Sequence, residues 1–300
     1  MLDGLNRRQF LKTTGALAAA TVVGAPLRAS AAELELVEPG VLTVAFNGDM
    51  PGTGEKDGKL IGLDGEIMQW VGEQLGLKVK PVLMEWAAEI ESVKGRRVDA
   101  MHGMMGWNEP RTKVINITDP IYYGGATIAQ KKSSNLASLA DLNGKKIATI
   151  QGFGWIDQLK AIPGSELSLY DTSDAAMRDL LAGRIDGLFA DPPLTQYVIA
   201  QNPDWELHAV PFEGEYDPKY SLLTSKYNVV FGLSKDAPNL LAAFNAKIAE
   251  AWASCLNIKT AAKYGLGDAS WFDPGPVNER AGKDRPADWK PPVLSDTCKA

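Results

Sequence analysis

The chain has 300 residues, 45% hydrophobic and 23% charged, enough for one large domain or two lobes with cores of their own. A formal charge of −6 argues against a nucleic-acid partner, because phosphate binding needs a basic face. Two cysteines (Cys255, Cys298) and two histidines (His102, His208) offer no metal-ligand spacing, so neither a structural zinc nor any other cofactor is expected.

The first element is a targeting segment. NRRQFLK (6–12) is a twin-arginine pattern, followed by the apolar run GALAAATVVGAPL and then Ala29-Ser30-Ala31, an A-x-A cleavage site. The run is too short, and too broken by Gly24 and Pro26, to span a bilayer well. No cysteine follows it, so a lipid anchor is not indicated. Residues 1–31 are read as a twin-arginine signal peptide. Its removal leaves a soluble periplasmic product beginning near Ala32 or Glu33. The segment carries four basic side chains and one acidic one, so the mature charge is about −9 by the same counting.

Strands and helices then alternate. VLTVAF (41–46) is a β-branched strand, and LDGEIMQWVGEQLG (63–76) has apolar residues at helical spacing up to Gly76. LKVKPVLM (77–84) alternates as a strand, and AAEIESVKG (87–95) is helical again, the grammar of a parallel α/β sheet. The pattern recurs at KKIATIQG (145–152) and at SDAAMRDLLAG (173–183), a helix for which Ser173 is the expected N-cap. KGRRVDAMHG (94–103) and AGRIDGLFAD (182–191) share Gly, Arg, a β-branched residue and Asp before an apolar strand, which suggests two similar lobes. Two extended runs, ATIAQKK (126–132) and YNVVFGLSK (227–235), are read as hinge crossings, and a long helix is expected over 239–256. Lobe 1 is expected over 33–125 plus 231–267, lobe 2 over 126–230 with the hinge strands at its ends. Residues 268–300 turn to Pro, Gly, Asp and Trp, and read as an irregular tail that wraps a surface or lies loose. Spacing alone neither requires nor excludes a Cys255–Cys298 disulfide.

One arginine is out of place for a surface. Arg111 follows HGMMG and Trp107-Asn108-Glu109-Pro110, an apolar, glycine-broken stretch, and a cation there suits an anion gripped in a partly dry cleft.

Taken in order, GLDGEI (62–67), MEW (84–86), GRRVDAM (95–101), NEPRTKV (108–114), ITDPIYY (117–123), LADLNGKKIATIQG (139–152), GRIDGLFAD (183–191) and AAKYGL (261–266) resemble the family 3 solute-binding proteins of ABC importers. The resemblance covers roughly residues 40–267. It implies a two-lobed type II periplasmic binding protein fold of class α/β, each lobe a parallel-type sheet flanked by helices, joined by a two-stranded hinge. It also implies a small-molecule ligand, an ABC transporter permease in the inner membrane as partner, and a monomer. By the same resemblance Arg111 holds a ligand carboxylate with Gly106 and Asn108 beside it, Asp191 takes an amino group from the second lobe, and Trp86 stacks on the ligand. Trp107 and Trp155 flank the two binding loops. Asp64 and Glu66 match acidic positions on the first helix, where solvated first-turn carboxylates explain them equally.

The departures concern the pocket. Relatives carry Gly-Thr-Thr or Gly-Thr-Gly where this chain has Gly152-Phe153-Gly154-Trp155, and an aspartate and then an aromatic near the first strand where this chain has Asn47 and Met50. Met104 and Gly106 stand where relatives have Ser or Thr. A greasier, more aromatic pocket is expected, for a ligand with an acid group and an aromatic, apolar or cationic part among Trp86, Trp107, Phe153, Gly154 and Trp155. Cyclohexadienyl dehydratases share the fold, but GFGWIDQ offers Asp157 as its single acid and no Glu or His, so no catalytic residue is assigned. A ligand carrier for another periplasmic enzyme or a sensor is the other alternative.

Overall fold

The structure is a computed structural model that describes residues 34–212 and 215–298. The signal-peptide expectation for residues 1–31 lies outside these described residues. Among the described residues no helix is long and apolar enough to cross a membrane.

The first lobe opens with β1 (Val41–Phe46), the small hairpin of β2 (Gly54–Lys56) and β3 (Lys59–Ile61), and α1 (Leu63–Gln74). It continues through β4 (Lys78–Leu83), α2 (Trp86–Lys94), β5 (Ala100–Met101), α3 (Glu109–Val114) and β6 (Asn116–Ile117). The chain leaves by β7 (Tyr122–Gly125) and enters the second sheet as β8 (Thr127–Lys131). There follow β9 (Lys146–Ile150), α4 (Ile156–Lys160), β10 (Glu166–Tyr170), α5 (Ser173–Leu181), β11 (Gly187–Phe189), α6 (Pro192–Gln201) and β12 (Leu207–Pro211). After α7 (Ser221–Thr224) the chain returns through β13 (Lys226–Val229) to β14 (Gly232–Leu233), α8 (Pro238–Ala253) and α9 (Leu256–Lys263).

The two sheets run β4-β1-β5-β14-β6 and β10-β9-β11-β8-β12. Each is mixed: β1 pairs parallel with β4 and β5, and β9 parallel with β10 and β11, while β14, β6, β8 and β12 pair antiparallel. Antiparallel strands appear because the chain changes lobes twice and re-enters each sheet against its direction. The two Arg-x-Asp segments, 97–99 and 184–186, have one job in both lobes. Asp99 accepts the N–H of Thr43 at the start of β1 (2.8 Å) and donates its own N–H to Thr43 O (2.9 Å). Asp186 repeats this with Lys146 at the start of β9, at 2.8 and 2.6 Å.

Three local expectations are corrected. The crossing pair is β7 with β13, Tyr122 opposite Val229 and Gly125 opposite Lys226. The run 127–131, expected as a crossing, is instead an interior strand paired on both edges. An extended apolar run looks the same in either role. Gly124 is required where the crossings touch, since a Cβ there would lie 2.7 Å from the Tyr227 ring. The N-cap of α5 is Thr172, whose side chain accepts from Ala175 N at 3.2 Å. Ser173 instead donates to Asp49 in the other lobe (3.0 Å). The long helix expected over 239–256 ends at Ala253, and Cys255 in left-handed conformation (φ 62°) starts α9.

The tail wraps. Cys298 is bonded to Cys255, with Cα atoms 5.4 Å apart. Phe272 is fully buried against Trp252, and Trp271 meets Tyr122 edge-on. Lys226 of β13 donates to the carbonyls of Ser270 (2.7 Å) and Asp273 (3.2 Å), so the tail lies over the hinge. The disulfide closes a separation of 43 residues. Replacing both cysteines with serine should lower unfolding free energy by about 2–4 kcal/mol, because a loop of that length gains much unfolded-state entropy when opened. Urea denaturation with and without reductant checks this: the wild type should lose stability on reduction, and the double variant should be indifferent.

Candidate functional site

Asn108, Pro110 and Arg111 form one local device. Asn108 caps α3 by accepting the N–H of Arg111 (2.9 Å), and Pro110 pre-sets the first turn. This aims the Arg111 side chain between the lobes, where it is 8% exposed. Its guanidinium donates to Gly106 O (2.5 Å) and, across the cleft, to Gly152 O (2.9 Å), and lies 5.4 Å from the centre of the Trp86 ring. Burial pulls its pKa down to about 10, opposed by Asp191 and Tyr227, so it stays charged at neutral pH.

The second lobe contributes the loop after β9. Gly152 (φ 84°) takes a left-handed turn, and its carbonyl also accepts the Trp86 indole N–H at 3.2 Å. Trp86, Phe153, Trp155 and Tyr227 then form a chain of edge-to-face contacts at 6.0, 5.5 and 6.0 Å between successive rings. Trp155 is fixed by its indole bond to Thr149 Oγ1 (2.7 Å). Gly106 and Gly154 permit this closeness: a Cβ at Gly106 would lie 3.0 Å from Tyr227, and one at Gly154 2.6 Å from Asn108 Nδ2.

Asp191 ends the segment after β11, just before Pro192 opens α6. Its carboxylate does not cap the helix, and Oδ2 is buried without a partner. Burial raises its pKa well above the usual carboxylate range, as do the charges of Asp49 and Asp64, while Arg111 lowers it. Three more acids lie behind the cleft, Asp64 and Glu89 buried and Asp49 half-buried. Burial raises Asp49 to about 6, against its Ser173 bond, and Asp64 to about 7, against bonds from Met104 N and Tyr122 OH. Burial and then Asp49 raise Glu89 well above its ordinary value, and neither of its carboxylate oxygens has a partner. Asp191 thus lines an inner cavity of the cleft with Asp64 and Glu89 buried and Asp49 half-buried behind it, an environment that favours a cation.

Two cavities lie in the cleft. The inner one has about 20 Å³ open to the centre of a water-sized sphere, and its lining includes Trp86, Met104, Phe153, Trp155, Asp191 and Tyr227. The outer chamber has about 720 Å³ on the same measure and is lined among others by Trp107, Arg111, Asp157, Tyr216, Glu279 and Lys283. Phe153, Gly154 and Leu222 line both.

The expected site residues thus fall into groups. Trp86, Gly106, Phe153, Gly154, Trp155 and Asp191 meet at the inner cavity, and Arg111 and Asn108 at the outer chamber. Trp107 faces outward: its ring lies 5.9 Å from the Arg280 guanidinium and 5.6 Å from Lys283 Nζ, and its indole nitrogen is buried without a partner. Asn47 bonds Asp49 (2.9 Å) and leaves its Oδ1 buried and unpaired, while Met50 lines neither cavity and packs near Gly54. Sequence reasoning passed over Tyr227, Asp49 and Glu89. Glu89 carried a signal, since it is three residues past Trp86 on the stripe that continues to Val93. Among the described residues no group of three or more His, Cys, Asp or Glu is arranged to hold a metal ion.

Comparison with known proteins agrees with this architecture. Residues 4–24 match the TAT (twin-arginine translocation) pathway signal sequence, so the chain is exported to the periplasm. A probable amino-acid-binding protein of Bacillus subtilis is 27% identical over 136 residues, 44% of this chain and 52% of that protein. The L-cystine-binding protein TcyJ of Escherichia coli is 26% identical over 185 residues, 59% of this chain and 70% of that protein. The chain thus spans about half the length of the first relative and more of the second. An ancestral arginine-binding protein bound to glutamine superposes with a TM-score of 0.67 at 24% identity, covering 77% of this chain and 100% of that one, a likeness of fold. Residues 42–266 match the model of the bacterial extracellular solute-binding proteins, family 3, and this chain belongs to that family.

Proposed function

We propose that this chain captures a small zwitterionic solute between its lobes and delivers it to an ABC permease, without chemistry of its own. The lobes are taken as residues 34–125 with 231–267 and residues 126–230. The observation that carries this reading is the pairing of Arg111 on α3 with Asp191 after β11. They are a cation and an acid from opposite lobes, 8% and 5% exposed, flanking a constriction of aromatic rings. A carboxylate on Arg111 and an ammonium on Asp191 satisfy both, and closure reduces the screening of both attractions. The ligand's remaining part is aromatic, apolar or cationic. The rings favour the first two, and the buried acids favour the third.

A solute enters only when the lobes part. Among the described residues three side-chain bonds join the two lobes across the cleft, Arg111 to Gly152 O, Trp86 to Gly152 O and Ser173 to Asp49, and entry breaks them while the hinge pairing stays. Re-closure on the solute moves the tryptophans, so their fluorescence reports binding.

The test is titration calorimetry with arginine, histidine, tryptophan and glycine, run in buffers of different ionisation enthalpy. The bulky three should bind far more tightly than glycine and shift tryptophan emission. Asp191 is raised in the free cleft, where it faces Asp49, Asp64, Arg111 and Tyr227. An arriving ammonium stabilises its ionised form, so binding expels a proton. Affinity should therefore rise with pH until Asp191 is ionised in the free protein, and fall as pH drops. Glycine binding tightest, with no emission change and no proton release, would refute the aromatic and anionic cleft.

A further inference from the structure

The family match ends at residue 266, yet the chain beyond it reaches the mouth of the cleft. Arg280 is fully buried, bound to Asp284 and to Thr118 O. This fixes the turn that carries Glu279 and Lys283 into the outer chamber. Glu279 accepts the hydroxyl of Tyr216 from the second lobe (3.1 Å), and Lys283 pairs with Glu109 (3.1 Å). The Lys283–Glu109 pair is half exposed, at 45% and 48%, so exchanging it for a ligand contact costs little.

The two cavities divide the charges. Asp191 lines the inner one, which has room for about one water. Arg111 lines the outer one. A zwitterion that reaches both must straddle the ring of Phe153, with its ammonium inward and its carbonyl or carboxylate end in the chamber. Whatever follows that end lies before Lys283, Glu279 and Asp157, in a space many times larger than the inner cavity.

We propose that the outer chamber is a second binding region of this cleft, one that takes the distal polar part of a zwitterion longer than a single α-amino acid, with Lys283 and Glu279 of the C-terminal segment as the residues that select it. The proposal rests on the amino-acid reading above. A dipeptide-sized solute fits it. Lys283 meets the terminal carboxylate or the peptide carbonyl, and Glu279 meets the peptide N–H.

The test compares arginine with arginyl-alanine, and tryptophan with tryptophyl-alanine, by titration calorimetry. The proteins are the wild type and the double variant Glu279→Gln, Lys283→Met. Lys283 is exposed and Glu279 half-buried, and circular dichroism is to check that the variant folds. The wild type should bind at least one dipeptide tenfold or more tightly than its free amino acid, and in the double variant that ratio should fall to about one. If free amino acids bind the wild type as tightly as the dipeptides, or if the variant keeps the preference, the second region is refuted while the amino-acid reading stands. If none of the four binds the wild type, the amino-acid reading fails and this one with it.

Discussion

Replacing Arg111 with alanine is expected to weaken ligand binding by about 2–5 kcal/mol, the range for truncating one partner of a buried hydrogen-bonded charge pair. That is roughly a 30- to 5,000-fold rise in dissociation constant. The loss has two sources. The ligand's carboxylate loses its one buried cation, and Gly152 O loses a donor that spans the lobes. Arg111→Lys separates them. Lysine keeps the charge, but not the planar fork that serves Gly106 O and Gly152 O at once, so it should recover only part of the loss. Unfolding free energy should change much less than binding, because Arg111 packs in the cleft and not in either lobe's core. Calorimetric titration of both variants, beside their denaturation curves, decides the matter. Alanine binding as tightly as wild type would make the arginine a lobe-to-lobe strut alone.

The alternation of strands and helices was legible because its signals are local: β-branched runs, 3.6-residue periodicity and glycine stops. The two Arg-x-Asp segments were legible for a stronger reason. Each aspartate makes a two-way bridge to the first residues of a neighbouring strand, so the geometry demands that residue at that offset in both lobes. The first hinge crossing was misplaced, though the second run held β13, because extended apolar residues look alike whether a strand crosses between lobes or completes a sheet.

The site was legible in part. The order of motifs pointed to Arg111 and Asp191, while the Asn108 cap that starts α3 came only with the structure. Position along the chain does not tell which way a ring faces. Trp86 and Trp107 sit in equally apolar settings, yet one meets Phe153 and the other meets Arg280 and Lys283 of the C-terminal segment. That difference depends on a tail whose composition suggested little structure. Its order comes from contacts distant in sequence: a disulfide, a buried arginine and aromatic packing over the hinge. Glu89 was passed over although it shares the stripe from Trp86 to Val93, because AAEIESVK carries two acids, Glu89 and Glu91, and both read as a solvated face until the sheet beneath them is known.

The C-terminal segment supplies the second large expected effect. Arg280 is 0% exposed, with two bonds to Asp284 (3.2 and 2.6 Å), one to Thr118 O (2.9 Å), and Trp107 and Trp289 at 5.9 and 5.4 Å. Burial lowers its pKa, and the bond to Asp284 raises it. Breaking a buried ion pair by removing one partner costs about 3–5 kcal/mol, because the other charge is left in a dry site. Arg285 Nη1 still reaches Asp284 at 3.2 Å, so Arg280→Ala should fall near the lower end, about 3 kcal/mol. For a chain of this size that lowers the melting temperature by roughly 6–12 °C. Replacing both partners with apolar residues, Arg280→Met with Asp284→Leu, should recover most of the loss, because no charge is then stranded. Binding should weaken in the single variant as well, since Glu279 and Lys283 flank the arginine and lose their anchor. Differential scanning calorimetry of the two variants tests the stability effect. An unshifted melting temperature in Arg280→Ala would mean that the segment does not hold its place over the hinge, and Glu279 and Lys283 would then have no fixed position at the cleft.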